Sequence, residues 1–434
     1  MKVCIIEKAA LGGVCINWGC IPTKALLKSA ELFESLKNPG TFGLSVKEAS
    51  IDLAEAIKRS RNVALKMSKG VAYMLRRSEV EVLQGEARFS SPNDLDVYRE
   101  GTRVRSVSAR HIIIASGSQP RLFPGLEPDG NRIITSREAL AMKSLPGSMI
   151  VVGGGAIGVE LAWFYAMAGT AVTLVEMMPR LLPLEDEEIS AVLLRSFQKA
   201  GITVATGAKL EGVKATGEGV SAFLTVDGQE PQPLSADYLL VAIGVTGNCA
   251  DLGLEHAGVE SARGFVVTDS LCRTAAAHIF AIGDVRGGML LAHKASAEAA
   301  IAIEVMKGGA PEPLEDSMIP RCVYAEPSVA SIGLGEKQAE ERGYRVKVGR
   351  SMFAASGKAN AYGNLEGLVK LVFNAADDRL LGAHLIGHGA VELIGELTLA
   401  RCLEVTAGLL AGTVHAHPTL SETIREAAES VLEE

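Results

Sequence analysis

The sequence predicts an α/β protein, with βαβ-type units followed by a separate α+β domain. Three observations carry that expectation. Residues 149–176 read as strand, glycine turn, helix and strand: MIVV, GGGAIG, VELAWFYAMAG and AVTLVE. A strand ending in an acid, Lys2–Glu7, opens the chain, and HIFAIGDV at 278–285 reads as a strand ending in Gly-Asp before an Ala-rich helix over 292–306. Past the Pro-rich stretch 311–320 the texture changes to strands at Leu368–Phe373 and Leu380–Ile386 and helices at 390–403 and 421–432. That mixture is the pattern of an α+β domain.

Composition bounds the function. The chain has 434 residues, 48% apolar and 22% charged, with a net charge of −8. Those values exclude a disordered, collagen-like or coiled-coil chain, and no basic excess calls for nucleic acid or an anionic membrane surface. Seven cysteines in this length do not make a disulfide scaffold. Cys4, Cys249, Cys272, Cys322 and Cys402 are scattered and read as small buried side chains. The opening MKVCIIEKAALGG is not a signal peptide, because Glu7 and Lys8 interrupt the apolar run, and the expected location is the cytoplasm.

Taken in order, the first strand is followed by a Gly-rich turn holding Cys15 and Cys20, then a helix with apolar positions at Ala25, Leu26, Ala30, Leu32 and Phe33. Pro22 sits where a first helical turn tolerates proline. Residues 51–78 form a basic amphipathic helix, and short strands occupy about 80–115. From Met149 to Val175 a single charge, Glu160, interrupts 27 residues. A membrane span needs about 20 apolar residues without turns. GGG at 153–155 and Gly169 break this run, so strand, turn, helix, turn, strand is the better reading.

Gly153, Gly155 and Gly158 make G-x-G-x-x-G between a strand and a helix, with Glu176 ending the next strand 23 residues on. That is a Rossmann-like dinucleotide site: glycines allow a tight turn and close approach of a pyrophosphate to helix N-terminal amides. Glu176 accepts from ribose hydroxyls and repels a 2′-phosphate, which favours NAD over NADP. Glu7 has the shape of a second ribose acid, although the strand and turn expected before it do not precede it.

In GGVCINWGCIPTK (12–24), Cys15 and Cys20 are spaced C-x-x-x-x-C at a helix N-terminus. The helix dipole and Lys24 both favour thiolate, so depressed thiol pKa values are expected. A zinc site is a chemical rival that needs two more ligands, which no nearby Cys/His pair supplies; inert buried cysteines are the other. A histidine in HAHPTLSE (415–422) can move a thiol proton near neutral pH, and a carboxylate on its other nitrogen would fix its tautomer. A His-Pro pair taken alone reads as a structural turn.

With these motifs stand IIIASGSQPR (112–121), LLVAIG (239–244), FAIGDV (280–285) and LAHKA (291–295). Together, and in this order, they make the chain resemble the pyridine nucleotide–disulfide oxidoreductases over almost all its length, most closely the lipoamide branch. The resemblance implies two Rossmann-like nucleotide-binding domains, for FAD and NAD, plus a C-terminal α+β dimerisation domain. FAD would take residues 1–145 and 267–315, NAD 146–266, and the interface 316–434. It implies a redox-active Cys15–Cys20 disulfide, with Cys15 meeting the substrate and Cys20 the flavin. His417 matches the catalytic base, Glu422 its orienting acid, and His415 a supporting residue. Lys24 and Glu160 match an ion pair beside the flavin, and Asp284 the acid on its ribityl chain. Leu290, Leu291, Ala292 and His293 line the same cofactor. Ser116, Gly117 and Ser118 match a loop touching FAD, Ala87 a backbone contact to adenine, and Gly244 a contact to NAD. No metal is implied.

The implied activity is oxidation of protein-bound dihydrolipoyl groups by NAD in a homodimer, with lipoyl domains of 2-oxoacid dehydrogenase or glycine-cleavage complexes as partners. Each active site would be completed by the partner subunit. Rivals are a glutathione or mercuric reductase and a non-catalytic remnant. ESVLEE has no cysteine pair, which disfavours the mercuric type, and Glu176 disfavours NADP enzymes. Family members carry a strand and G-x-G-x-x-G helix of about 30 residues before the point where this chain begins, so Met1 is expected to be internal. Val14, Ser116, Val245 and Gly247 depart from the usual threonine, threonine, arginine and proline; none removes a reactive group.

Overall fold

A computed structural model describes residues 2–433. The chain opens with β1 (Cys4–Glu7), α1 (Gly13–Trp18), α2 (Cys20–Ser35) and α3 (Leu53–Arg77). Strand β2 (Glu81–Gln84) is followed by β3 (Glu86–Phe89), β4 (Asp94–Arg99) and β5 (Thr102–Ser108), which form an antiparallel sheet, and then by β6 (Ile112–Ile114) and β7 (Ser118–Pro120). Next come β8 (Ile133–Ile134), α4 (Ser136–Ala139), β9 (Ser148–Val152), α5 (Ala156–Ala168), β10 (Ala171–Glu176), α6 (Glu187–Lys199) and β11 (Thr203–Thr206). An antiparallel trio, β12 (Ala208–Ala215), β13 (Val220–Val226) and β14 (Gln232–Ala236), precedes β15 (Tyr238–Val241) and β16 (Val245–Gly247). The remaining strands before the C-terminal part are β17 (Ser261–Ala262), β18 (Phe265–Val266) and β19 (Ile279–Ala281), followed by α7 (Ala292–Met306).

The C-terminal part holds β20 (Arg321–Val323), β21 (Ser328–Gly333), α8 (Glu336–Glu341), β22 (Val346–Met352), α9 (Gly357–Tyr362), β23 (Leu368–Asn374), β24 (Leu380–Gly387), α10 (Ala390–Cys402), α11 (Ala407–Gly412) and α12 (Glu422–Leu432). The chain divides into two compact units. The first comprises residues 1–25, 57–121 and 244–314; the second comprises 26–56, 122–243 and 315–434.

In the first unit, β1 pairs with β2 and β6 with β19, both in parallel. Phe89, Ile112, Ile114, Leu254, Val266, Ile279 and Val285 form its core. In the second unit a five-stranded parallel sheet runs β11–β10–β9–β15–β8. Its central strand, SMIVV, is apolar on both faces because both are covered. The strand order reverses beside β9, and at such a switch point α/β sheets bind ligands beyond the strands' C-terminal ends. Helix α5 is apolar nearly all round and almost wholly buried, Glu160 included. Burial, not a membrane, explains that composition. Among the described residues no helix is long and apolar enough to cross a membrane.

The C-terminal strands form an antiparallel sheet, β20–β21–β24–β23–β22. The strands β23 and β24 are buried along their whole length. Helix α12 buries Ile424, Ala427, Ala428 and Val431, an i, i+3, i+4, i+7 stripe. These join Phe353, Leu371, Phe373, Leu385 and Leu397 in one core. Burying each Phe or Leu contributes about 1.5–3 kcal/mol.

Candidate active site

Cys15 and Cys20 are joined by a disulfide, with Cα atoms 4.6 Å apart. Gly12 and Gly13 have φ of 98° and 60° and start the short helix α1; Cys20 is the first residue of α2. When the pair is reduced, the amide end of this 16-residue helix favours thiolate at Cys20. The loop is tied down by residues the sequence reading missed. Buried Asn17 donates through Nδ2 to Leu11 O (3.1 Å) and Gly13 O (3.0 Å), and Ser68 of α3 donates to Leu11 O (2.8 Å). Thr23 Oγ1 donates to Gly19 O at 2.6 Å. Asn17 lies inside the cysteine motif and could have been flagged; Ser68 lies 57 residues from its partner and carries no local signal.

Other predicted residues of the first unit cluster around one loop. Ser118 Oγ donates to Asp284 Oδ2 at 2.6 Å, while Ser116 Oγ donates to Asn248 O at 2.7 Å. Asn248 returns two bonds, from Nδ2 to Ser116 O (2.9 Å) and from its amide to Gly117 O (2.9 Å). Asn248 is therefore a knot that sequence reasoning missed. Gly117 and Gly244 have φ of 74° and 104°, and a Cβ on either would meet no protein atom within 4 Å. At Gly117, whose neighbour Ser118 bonds Asp284, such bare, open backbone fits a cofactor lying close to the chain.

Behind Asp284, Glu298 accepts from Gly283 N (2.7 Å) and pairs with Arg286 (2.6 Å) and Lys294 (2.8 Å), its side chain 1% exposed. Leu290 and Leu291 precede α7, whose first residues are Ala292 and His293. Glu7 ends β1 and accepts from Ala9 N at 2.8 Å, and Ala87 sits half-buried in β3. Lys24 lies on α2.

In the second unit the three glycines of the dinucleotide motif have separate reasons. Gly153 has φ 110°, and a Cβ there would strike Ala242 O; one on Gly158 would strike Gly153 O. Gly155 differs: its backbone is extended, and its Cβ would point into open space. Two glycines therefore shape the turn, and the third leaves room for a ligand at the N-terminus of α5, which fits a pyrophosphate. Glu176 is buried at the end of β10 and accepts from Gly154 N (2.5 Å) and Met178 N (2.7 Å). Glu160 is buried on α5 and accepts from Tyr324 N at 2.9 Å.

The HAHPTLSE segment places His417 Nδ1 2.9 Å from Glu422 Oε1, and Thr419 N donates to Glu422 Oε2 at 2.9 Å. These donors hold the Glu422 carboxyl below the usual carboxylate range. A charged Glu422 accepting from Nδ1–H leaves Nε2 as the basic nitrogen of a ring that is 78% exposed. His415 is engaged on both sides, by Glu396 (2.8 Å) and Thr413 O (3.1 Å), so it braces the loop. The disulfide belongs to the first unit and the His417–Glu422 pair to the second. Among the described residues no group of three or more His, Cys, Asp or Glu could hold a metal ion.

A disulfide at a helix N-terminus, a nucleotide-type glycine turn and a histidine–carboxylate pair define a class, and the comparisons agree with it. The chain belongs to the pyridine nucleotide-disulphide oxidoreductase family: residues 1–299 match that family and residues 319–428 match its dimerisation domain. Among its relatives is the dihydrolipoyl dehydrogenase of Chlorobaculum tepidum, 65% identical over 433 residues, covering 100% of this chain and 92% of that one. The dihydrolipoyl dehydrogenase of Rhizobium etli is 41% identical over 445 residues, covering 98% of this chain and 92% of its own. The crystal structure of LpdA from Mycobacterium tuberculosis superposes with a TM-score of 0.91 at 27% identity, covering 99% of this chain and 93% of that one.

Proposed function

We propose that this chain is a dihydrolipoyl dehydrogenase, which uses FAD and NAD to oxidise protein-bound dihydrolipoyl groups in the cytoplasm. The observation that carries the reading is the Cys15–Cys20 disulfide at the N-terminus of α2. In this reading residues 1–145 and 267–315 take FAD, residues 146–266 take NAD, and residues 316–434 form the interface of a homodimer. Each protomer's His417 then serves the disulfide of its partner.

His417 Nε2 takes the proton of one substrate thiol, with Glu422 holding the tautomer and stabilising the imidazolium. The thiolate attacks Cys15 Sγ, the Cys15–Cys20 bond breaks, and Cys20 leaves as a thiolate at the positive end of α2. The second substrate thiol gives up its proton and attacks the substrate sulfur bound to Cys15. Cys15 leaves carrying that second proton, so the substrate departs as a disulfide and the protein holds the two electrons as a Cys15 thiol and a Cys20 thiolate, with the first proton on His417. When bound, FAD supplies the route by which those electrons reach NAD as hydride. Asp284, Ser116, Gly117, Ser118, Leu290, Leu291, Ala292, His293, Lys24, Glu160, Ala87 and Glu7 would hold FAD. Gly153, Gly155, Gly158, Glu176 and Gly244 would hold NAD.

The test is turnover of purified holoenzyme with dihydrolipoamide and NAD+, beside the Cys15→Ser and Cys20→Ser variants. Each serine is expected to abolish turnover while flavin absorbance stays. Undiminished turnover in either variant overturns the reading.

A further inference from the structure

A row of mainly basic side chains crosses the C-terminal sheet. Strand register sets Arg321 beside Ser331, Ser331 beside His384, His384 beside Lys370, and Lys370 beside Arg350. Cross-strand partners share a face, so the five residues form one line. Against it lies the start of α6. Arg321 pairs with Glu185 at 2.8 Å, Lys370 with Asp186 at 2.9 Å and Glu188 at 2.6 Å, and Arg350 grips Glu188 through two nitrogens at 2.7 and 2.9 Å. Glu336 adds a fourth carboxylate, 2.8 Å from Lys370 and 3.4 Å from Arg350. The Lys370 and Asp186 side chains are only 3% and 7% exposed. Neither charge is sustainable there alone, so each fixes the other.

This clamp connects to the glycine turn through six residues. Asp186 caps α6, accepting from Glu188 N at 2.9 Å. Glu185 N donates to Leu182 O (2.8 Å), and Leu182 N donates to Gly154 O (2.9 Å). Leu181 and Glu176 crowd Gly154 so closely that a Cβ there would lie 2.8 and 3.0 Å from them. Gly154 in turn donates to Glu176, the ribose acid of the reading above. Lys370 is remote in sequence from the nucleotide motif, yet it holds one end of a short tether whose other end is the motif's own backbone.

We propose that Lys370 is a positioning residue for NAD: by holding Asp186 it fixes the 181–186 segment, and through it the placement of Gly154 and Glu176. The proposal rests on the reading that the Gly153–Gly158 turn takes NAD. Its test is calorimetric titration of NAD+ into oxidised holoenzyme, with steady-state kinetics alongside. Lys370→Met is expected to raise the NAD+ Kd and KM about tenfold, the size of change typical of a coupled remote residue. The KM for dihydrolipoamide and the flavin content should stay as in wild type, and Lys370→Arg should restore most of the affinity. Should Lys370→Met not fold, Arg350→Gln removes the half-exposed end of the row and is expected to weaken NAD+ about two- to threefold. An unchanged Kd in the folded variant overturns the proposal, and so does an equal rise in both KM values. Wild-type holoenzyme that takes up no NAD+ overturns the reading of the turn itself.

Discussion

Two glycine-to-alanine changes, three residues apart, separate what the fold needs from what the ligand needs. At Gly155 the backbone is already extended, at φ −77° and ψ −177°, and an added Cβ meets no protein atom within 4 Å. The protein itself loses only a slightly better helix cap, about 0.5 kcal/mol, which is a fall in melting temperature of about 1–2 °C. The new methyl nevertheless occupies the space over the α5 N-terminus through which the pyrophosphate of the proposed NAD site would approach the amides. Losing even one charge-assisted hydrogen bond there costs about 1.5–3 kcal/mol, a weakening of NAD+ by about 10- to 150-fold. Gly158→Ala behaves oppositely, because its Cβ would run into the Gly153 carbonyl, backbone that cannot step aside cheaply. Overpacking of that kind costs about 1–3 kcal/mol of stability, and affinity falls with it. Differential scanning calorimetry and NAD+ titration of the two holoenzymes measure both quantities. If Gly155→Ala binds NAD+ as wild type does, the pyrophosphate does not sit on this turn and the reasoning fails.

Other perturbations test other parts of the site. Glu422→Gln keeps an oxygen to accept from His417 Nδ1 but removes the charge; turnover should fall about tenfold, against about 10²–10⁴ for His417→Gln, and equal losses would refute the division of roles. Glu298→Gln leaves Arg286 and Lys294 facing a neutral amide, and Arg286 is partly exposed, so the cost is about 3 kcal/mol, near the low end for a broken buried pair. Glu298 also holds the Gly283 amide beside Asp284, so the readouts are flavin content per protomer and melting temperature, and a fully flavinated variant of unchanged stability contradicts a bracing role for Glu298. Bonds to Arg350 and Lys370 draw the Glu188 carboxyl down to about 2. A carboxyl lower in the folded than the unfolded state stabilises above its unfolded pKa and loses that contribution as pH falls through the folded one. The melting-temperature gap between wild type and Glu188→Gln should therefore be full at neutral pH and close on acidification from about 4.5 towards 2.

The parts of this protein legible in its sequence are those written in local code. The Gly153–Gly158 spacing, the β-branched run before it and Glu176 after it specify a strand, turn, helix and strand through neighbouring residues alone. The His417–Glu422 pair is similarly local, five residues apart where a loop enters α12. Asn248 was invisible because its three bonds to the 116–118 loop span about 130 residues and depend on how β7 pairs with β16. The row through Lys370 shows where the boundary lies. Its members come from five strands, and its basic residues look like ordinary surface charges until the register of all five is known. Yet Lys370 sits in LVKLVFN, a strand buried on both faces, and an unpaired ammonium cannot be buried at tolerable cost. The sequence could therefore have demanded an acidic partner for Lys370 without naming it. The acidic run Glu185–Glu188 was the obvious stock to draw from, and only the fold shows that Asp186 and Glu188 answer the demand.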